Sequence, residues 1–173
     1  MSGFLQTCRA DLQAAARARQ IRPREALLLP GVWAVFTFRA GNVLHDRGLR
    51  LPSRLLWLAN TILFGCELQM GADVGPGLVL FQPAGSGFGP GARLGRDVLI
   101  MGGVRLGAGG YEDQAADGFP TVGDGCRLLD GAKLFGPVTV GAGAVIGVNA
   151  VVTQDVPAGG RVEGSPARLV KRP

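Results

Sequence analysis

Leu68, Val74 and Leu80 stand six residues apart. After a two-residue slip the same spacing links Phe88, Leu94, Ile100 and Leu106. After an irregular stretch it links Val122, Leu128, Leu134, Val140, Ile146 and Val152. Of these thirteen large apolar residues, seven are followed directly by glycine. A period of six belongs neither to a helix, which repeats near 3.6, nor to an ordinary strand, which repeats at two. It suits a chain that makes a short strand, sends one large side chain inward, and turns where Gly or Asn accepts positive φ. Three such hexads close a triangular coil. No coil covers its own apolar residues, so successive coils must stack on one another. The series predicts a parallel β-helix of about four to five coils. The stretch 107–121 is about ten residues too long for that frame and is expected to leave it as a loop, the kind of excursion that carries function in repeat proteins.

Composition agrees. Twenty-nine glycines in 173 residues without a three-residue period exclude collagen, and 47% apolar content with a mean hydropathy of +0.25 excludes disorder. Before residue 67 glycine is sparse and Ala, Leu and Arg dominate, so residues 1–66 read as an α-helical region. Helices are expected from Phe4 to about Gln20, from Pro23, over 31–46 and over 53–64. The apolar faces of the last two (Trp33, Phe36, Ala40, Val43; Leu55, Leu58, Ile62) recur at three- to four-residue spacing and are expected to pack. Residues 67–153 form the β-helix and 154–173 a closing segment. Cys8, Cys66 and Cys126 are too scattered for a disulfide framework or metal cluster, which points to buried thiols, a cytoplasmic setting and no metal. The net charge is +5. Aromatic–basic interleaving is missing, so nucleic acid is not expected as a partner. The apolar runs are too short to span a bilayer. Arg39, Arg47, Arg50 and Arg54 read as a solvated face, and membrane association is not expected.

The repeat carries more specific matches. They are Leu68–Gly85 (LQMGADVGPGLVLFQPAG), the step Val104–Gly107, and Pro120–Gly123 after the loop. The longest is GPVTVGAGAVIGVNAVVTQDVPAGGRVEGSPARLV from Gly136 to Val170, with Asp155–Val156–Pro157 and Gly164–Ser165–Pro166–Ala167. Over about residues 30–170 the chain resembles the hexapeptide-repeat acyltransferases, and among them the serine acetyltransferases. The resemblance implies a mainly β fold, a left-handed parallel β-helix behind short helices. It also implies a homotrimer about the helix axis and acetyl-CoA or another acyl-CoA as cosubstrate between subunits.

That family uses histidines and an acid to activate a hydroxyl, because a neutral alcohol attacks a thioester poorly. By the same resemblance the acid falls on Glu67. The catalytic histidine of the Asp-His pair falls on Gln82 and its neighbouring Asp on Phe81, while the Arg-His pair before Pro120 becomes Gly118–Phe119. The chain's one histidine, His45, matches none of these positions and reads as solvated or capping. Gln orients or donates but takes no proton. Phe81 and Phe119 would make the acceptor pocket apolar, unlike the site free serine needs. Candidate catalytic residues are therefore Glu67, Gln82 and the loop acids Asp113 and Asp117. Phe81, Phe119 and Tyr111 are expected to meet a small-molecule acyl acceptor. For the cosubstrate the resemblance implies Gly107, Ala108, Asp130 and Val148, with Arg168 and Lys171 toward the CoA phosphates. The expected activity is acyl-CoA-dependent acyl transfer to an altered acceptor, alcohol or amine. The alternative is a non-catalytic trimer that binds CoA or scaffolds a partner enzyme.

Overall fold

The structure is a computed structural model that describes residues 2–109 and 118–170. Four helices come first: α1 (Ser2–Arg19), α2 (Pro23–Ala26), α3 (Pro30–Asp46) and α4 (Arg50–Phe64). Helix α4 begins three residues before the expected start. Pro52 lies in its first turn, where no intrahelical acceptor is available to an N–H, so the missing donor costs nothing.

From Glu67 onward the described chain makes strands of two or three residues that pair in register into three parallel faces. On the first face Leu68, Phe88, Leu106, Leu134 and Val152 stack directly on one another. On the second the ladder is Val74, Leu94, Val122 and Val140. On the third it is Leu80, Ile100, Leu128 and Ile146. All thirteen hexad residues thus occupy three ladders, and twelve are buried, Val74 partly. The ladders continue past Val152, with Val156 bridging Val140 and Val162 pairing with Ile146. An antiparallel pair, Val162 with Leu169, then closes that end. The register runs from Gly87 to Arg105 in one coil and from Arg105 to Lys133 in the next, so the extra residues leave between Gly107 and Thr121.

Two features hold the coils. At the corner after the third face, Gly85, Gly103, Gly131 and Asn149 take φ of +73°, +68°, +70° and +55°. This left-handed turn is open to Gly and, among other residues, most readily to Asn. Two positions before each ladder residue lies a second buried column of smaller groups, including Cys66, Ala72, Ala92, Cys126 and Ala132. The hexapeptide reading passed over this column. It puts Cys66 and Cys126 at 0% exposure, and burial pushes the Cys66 thiol up to about 11 and the Cys126 thiol upward. Cys8 is partly exposed on α1, its thiol raised first by burial and then by Asp11. Ellman's reagent at pH 8 should therefore titrate at most one thiol, slowly, in the native protein and three after denaturation. Two fast native thiols would contradict this packing.

The helices meet the β-helix through small and polar residues and the apolar Val35 and Phe38, not through the apolar stripes read from sequence. A Cβ on Gly31 would lie 2.0 Å from the Leu80 carbonyl oxygen, so α3 approaches backbone to backbone there. Phe38 makes an edge-on contact with Phe88, ring centroids 5.2 Å apart. Trp33, Leu55, Leu58 and Ile62 are 44–72% exposed, which corrects the expectation that those faces pack within the chain. The side facing inward is the narrow one: Gly31, Ala34, Val35, Phe38 and Gly41 on α3, Ser53 and Asn60 on α4. Arg39 corrects a second expectation. It is buried, not solvated, and its guanidinium meets Asp11 at 3.0 Å. It also donates to the Val74 and Gly75 carbonyls, while Asp11 accepts from the Gly77 and Leu78 N–H groups.

Candidate active site

The candidate residues fall on the first face and on the corners at its two ends. Outward-pointing residues of that face form a row in register: Glu67, Gly87, Arg105 and Lys133. Glu67 Oε2 and Arg105 Nη2 are 2.9 Å apart, and each side chain is 43% exposed. They reach each other across the intervening rung because Gly87 has no side chain. A Cβ there would stand 2.9 Å from Arg105 Nη1. The carboxylate is thus held by a guanidinium while one side stays open to solvent.

At the corner between the third and first faces the register places Gln82, Gly102, Asp130 and Val148 one above another. The Gly102 N–H donates to Asp130 Oδ1 at 3.1 Å. A Cβ on Gly102 would lie 2.9 Å from Gln82 Oε1, so the Gln82 amide rests over this glycine. Val148 is 56% exposed and offers an apolar rung at the end of the column. Phe81 stands at the same corner. The Arg19 guanidinium lies 3.8 Å from its ring centroid and donates to its carbonyl. A cation therefore covers one face of this aromatic wall.

The corner between the first and second faces holds the other group. Phe119 packs over Gly89 and Gly91, where added Cβ atoms would stand 2.1 and 2.3 Å from its ring. Phe135 packs against Gly107. Beside Gly107 and Ala108 opens a cleft of about 590 Å³ lined by Gly109, Phe135, Pro137, Thr153, Gln154 and Asp155. The Asp155 carboxylate accepts from the Thr139 N–H at 2.7 Å. Arg168 is exposed on the closing antiparallel pair. Tyr111, Asp113, Asp117 and Lys171 lie outside the described residues. Among the described residues no group of three or more His, Cys, Asp or Glu is placed to hold a metal ion.

Among the described residues, one chain does not gather the candidates into a single pocket. Gln82, Asp130, Val148 and Phe81 stand at one end of the first face, Gly107, Ala108 and Phe119 at the other, and the Glu67–Arg105 pair between them. Sequence reasoning missed Arg105, Arg19 and Phe135. Arg105 was within reach of it, because stepping along the coil register from Glu67 through Gly87 arrives at Arg105. Arg19 was not, since nothing local relates a helix terminus to a coil corner.

No family model matches the chain. It is 34% identical over 170 residues to the serine acetyltransferase of Mycobacterium tuberculosis, covering 96% of this chain and 73% of that one. It is 34% identical over 146 residues to the serine acetyltransferase of Helicobacter pylori, covering 84% of each. Among solved structures, serine acetyltransferase from Vibrio cholerae superposes with a TM-score of 0.92 at 28% identity, covering 100% of this chain and 67% of that chain. A serine acetyltransferase in complex with CoA gives 0.89 at 27% identity, covering 98% and 70%. The shared fold is the left-handed parallel β-helix with helices before it.

Proposed function

Since this chain belongs to the serine acetyltransferase family, we propose that it transfers an acyl group, acetyl in the simplest case, from acyl-CoA to a nucleophile other than free serine, at a site without histidine. The observation that carries the transfer reading is the superposition of 98% of the chain on the relative in complex with CoA. The altered acceptor rests on Phe81, Gln82 and Phe119. None of these takes a proton, and the two rings disfavour a zwitterion that must keep both charges solvated or paired.

In this reading the acceptor's O–H or N–H attacks the thioester carbonyl, the C–S bond breaks, and CoA leaves as the thiol after taking up the proton. Glu67 is the described carboxylate offered to that proton, and Arg105 fixes where it points. Gln82 orients the acceptor by hydrogen bonds. An amine, partly unprotonated at neutral pH, needs less help than an alcohol. Asp113, Asp117 and Tyr111 on the loop remain candidates for the same step. For the cosubstrate we assign backbone groups at Gly107 and Ala108 and the column Asp130–Val148, with Arg168 and Lys171 toward the phosphates. Asp130 is already engaged by the Gly102 N–H, so its carboxylate stays within the turn. The resemblance to the serine acetyltransferases implies a homotrimer, and in that assembly a neighbouring subunit would supply the corner that completes a groove with residues split between the two ends of one face.

Calorimetric titration with CoA and acetyl-CoA, with free thiol followed against serine, homoserine, a sugar alcohol and a set of amines, tests this reading. The expected result is saturable binding of both ligands, with thiol release that depends on an acceptor other than serine. Binding without release from any acceptor would favour the non-catalytic CoA-binding trimer, and no binding of either ligand would refute the transfer reading and leave the scaffold for a partner enzyme.

A further inference from the structure

A second cleft, of about 690 Å³, opens between the end of α3, the start of α4 and the turn at Gln69–Met70. Its size is that of a small-molecule site. Arg50, Arg54 and His45 line it together with the apolar Leu55, Trp57, Leu58 and Met70, and no acidic residue lines it. Its walls are pinned. Ser53 Oγ donates to the Gly41 carbonyl at 3.0 Å, and Met70 fills the space where a Gly41 Cβ would stand. Asn42 clamps the turn by donating to the Ala72 carbonyl at 2.9 Å and accepting from the Gly71 N–H at 2.8 Å.

The charge here runs against the local rules. Arg50 and Arg54 sit four residues apart at the start of α4, where like charges repel and the helix dipole is positive. That helix end has no side-chain cap and no acid in its first turn. Among the described residues neither arginine enters an ion pair. Arg39, Arg17, Arg105 and Arg161 pair with Asp11, Asp97, Glu67 and Glu163, while other surface arginines, Arg47 and Arg93 among them, are unpaired among the described residues as Arg50 and Arg54 are. What sets these two apart is the cleft they share with His45. A cluster left uncompensated beside a pre-formed, half-apolar cleft is the local conflict expected where a ligand supplies the missing charge.

We infer that this cleft binds an amphiphilic anion, a phosphate or carboxylate head held by Arg50 and Arg54 with an apolar tail against Leu55, Trp57 and Met70. The site is independent of the acyl-transfer reading and lies on different residues. Two sources offer this chemistry, a free small molecule and a membrane lipid with an anionic head. The exposed Leu51 and Ile62 on α4 extend the apolar surface beyond the cleft.

The test is calorimetric titration of the whole protein with octyl phosphate, inorganic phosphate and octyltrimethylammonium, each kept below micelle formation, together with pelleting on vesicles containing phosphatidylglycerol. Octyl phosphate should saturate at one per chain, more tightly than inorganic phosphate, and octyltrimethylammonium should not saturate. The double variant R50Q/R54Q, altered only at exposed side chains, should keep the thermal midpoint and bind octyl phosphate at least about tenfold more weakly. Vesicle binding that the double variant loses identifies a lipid head as the source. Octyl phosphate binding without pelleting identifies a free anion. Equal binding by the double variant, equal binding of the ammonium amphiphile, or no saturation by octyl phosphate together with no pelleting would each overturn the proposal.

Discussion

Replacing Arg39 by methionine should destabilise the protein by about 3–5 kcal/mol, the range for removing one partner of a buried ion pair. Methionine matches much of the length of the side chain, so lost volume contributes little. The cost is electrostatic. Asp11 is 2% exposed, and burial already pushes its carboxyl above the usual range, with Arg39 and the N–H groups of Leu78 and Gly77 opposing that shift. Without the guanidinium a buried carboxylate loses its counter-charge, and the Val74 and Gly75 carbonyls lose a donor. Chemical denaturation followed by circular dichroism measures the change. Combining Asp11→Leu with Arg39→Met should not restore stability, because Asp11 also satisfies the Gly77 and Leu78 N–H groups. A loss below about 1 kcal/mol in Arg39→Met would show that α1 and α3 are not fastened to the first coil through this pair.

Glu67→Gln should lower kcat for acyl transfer by about 10²–10⁴, the usual loss when a general base is removed. The substitution keeps the shape of the side chain and an oxygen that can still accept from Arg105, but it removes the capacity to take a proton together with the charge of the ion pair. Because the pair is half-exposed, stability should change little, so a fall in kcat would report chemistry and not unfolding. Gln82→Ala should have a smaller effect, concentrated in KM, since an amide orients without accepting the proton. Unchanged turnover in Glu67→Gln would move the proton acceptor to another carboxylate, Asp113 and Asp117 being the remaining candidates.

What could be read from the sequence follows the range of the interactions concerned. The spacing of Leu68, Val74 and Leu80 and its continuation determined the coil, because each inward residue repeats at a fixed distance along the chain. The surplus length after Gly107 was equally legible, because the register from Arg105 to Lys133 is longer than one coil needs. Glu67, Gln82 and Gly107 are proposed as site residues through the resemblance of their local motifs to the family's. The partner of Glu67 was legible in principle, since register converts chain distance into contact, but the missing side chain at Gly87 that lets Arg105 reach it was overlooked.

The sides of the helices were a different matter. Leu55, Leu58 and Ile62 have the spacing of a buried stripe, yet the structure turns them outward. Spacing defines a helical face but not what lies opposite it, and the narrow gap over Leu80 admits only a face as slim as Gly31 and Ala34. Arg39 shows the same limit. A charged residue in an arginine-rich segment reads as solvated until Asp11, from another helix, is found beside it. The sequence by itself determined the β-helix, its ladders and the family signature, because these depend on periods and contiguous motifs. Only the tertiary structure decided which helix faces are covered, which charges are paired, and that the candidate residues divide between two corners of one face, because those depend on approach distances between segments far apart in the chain.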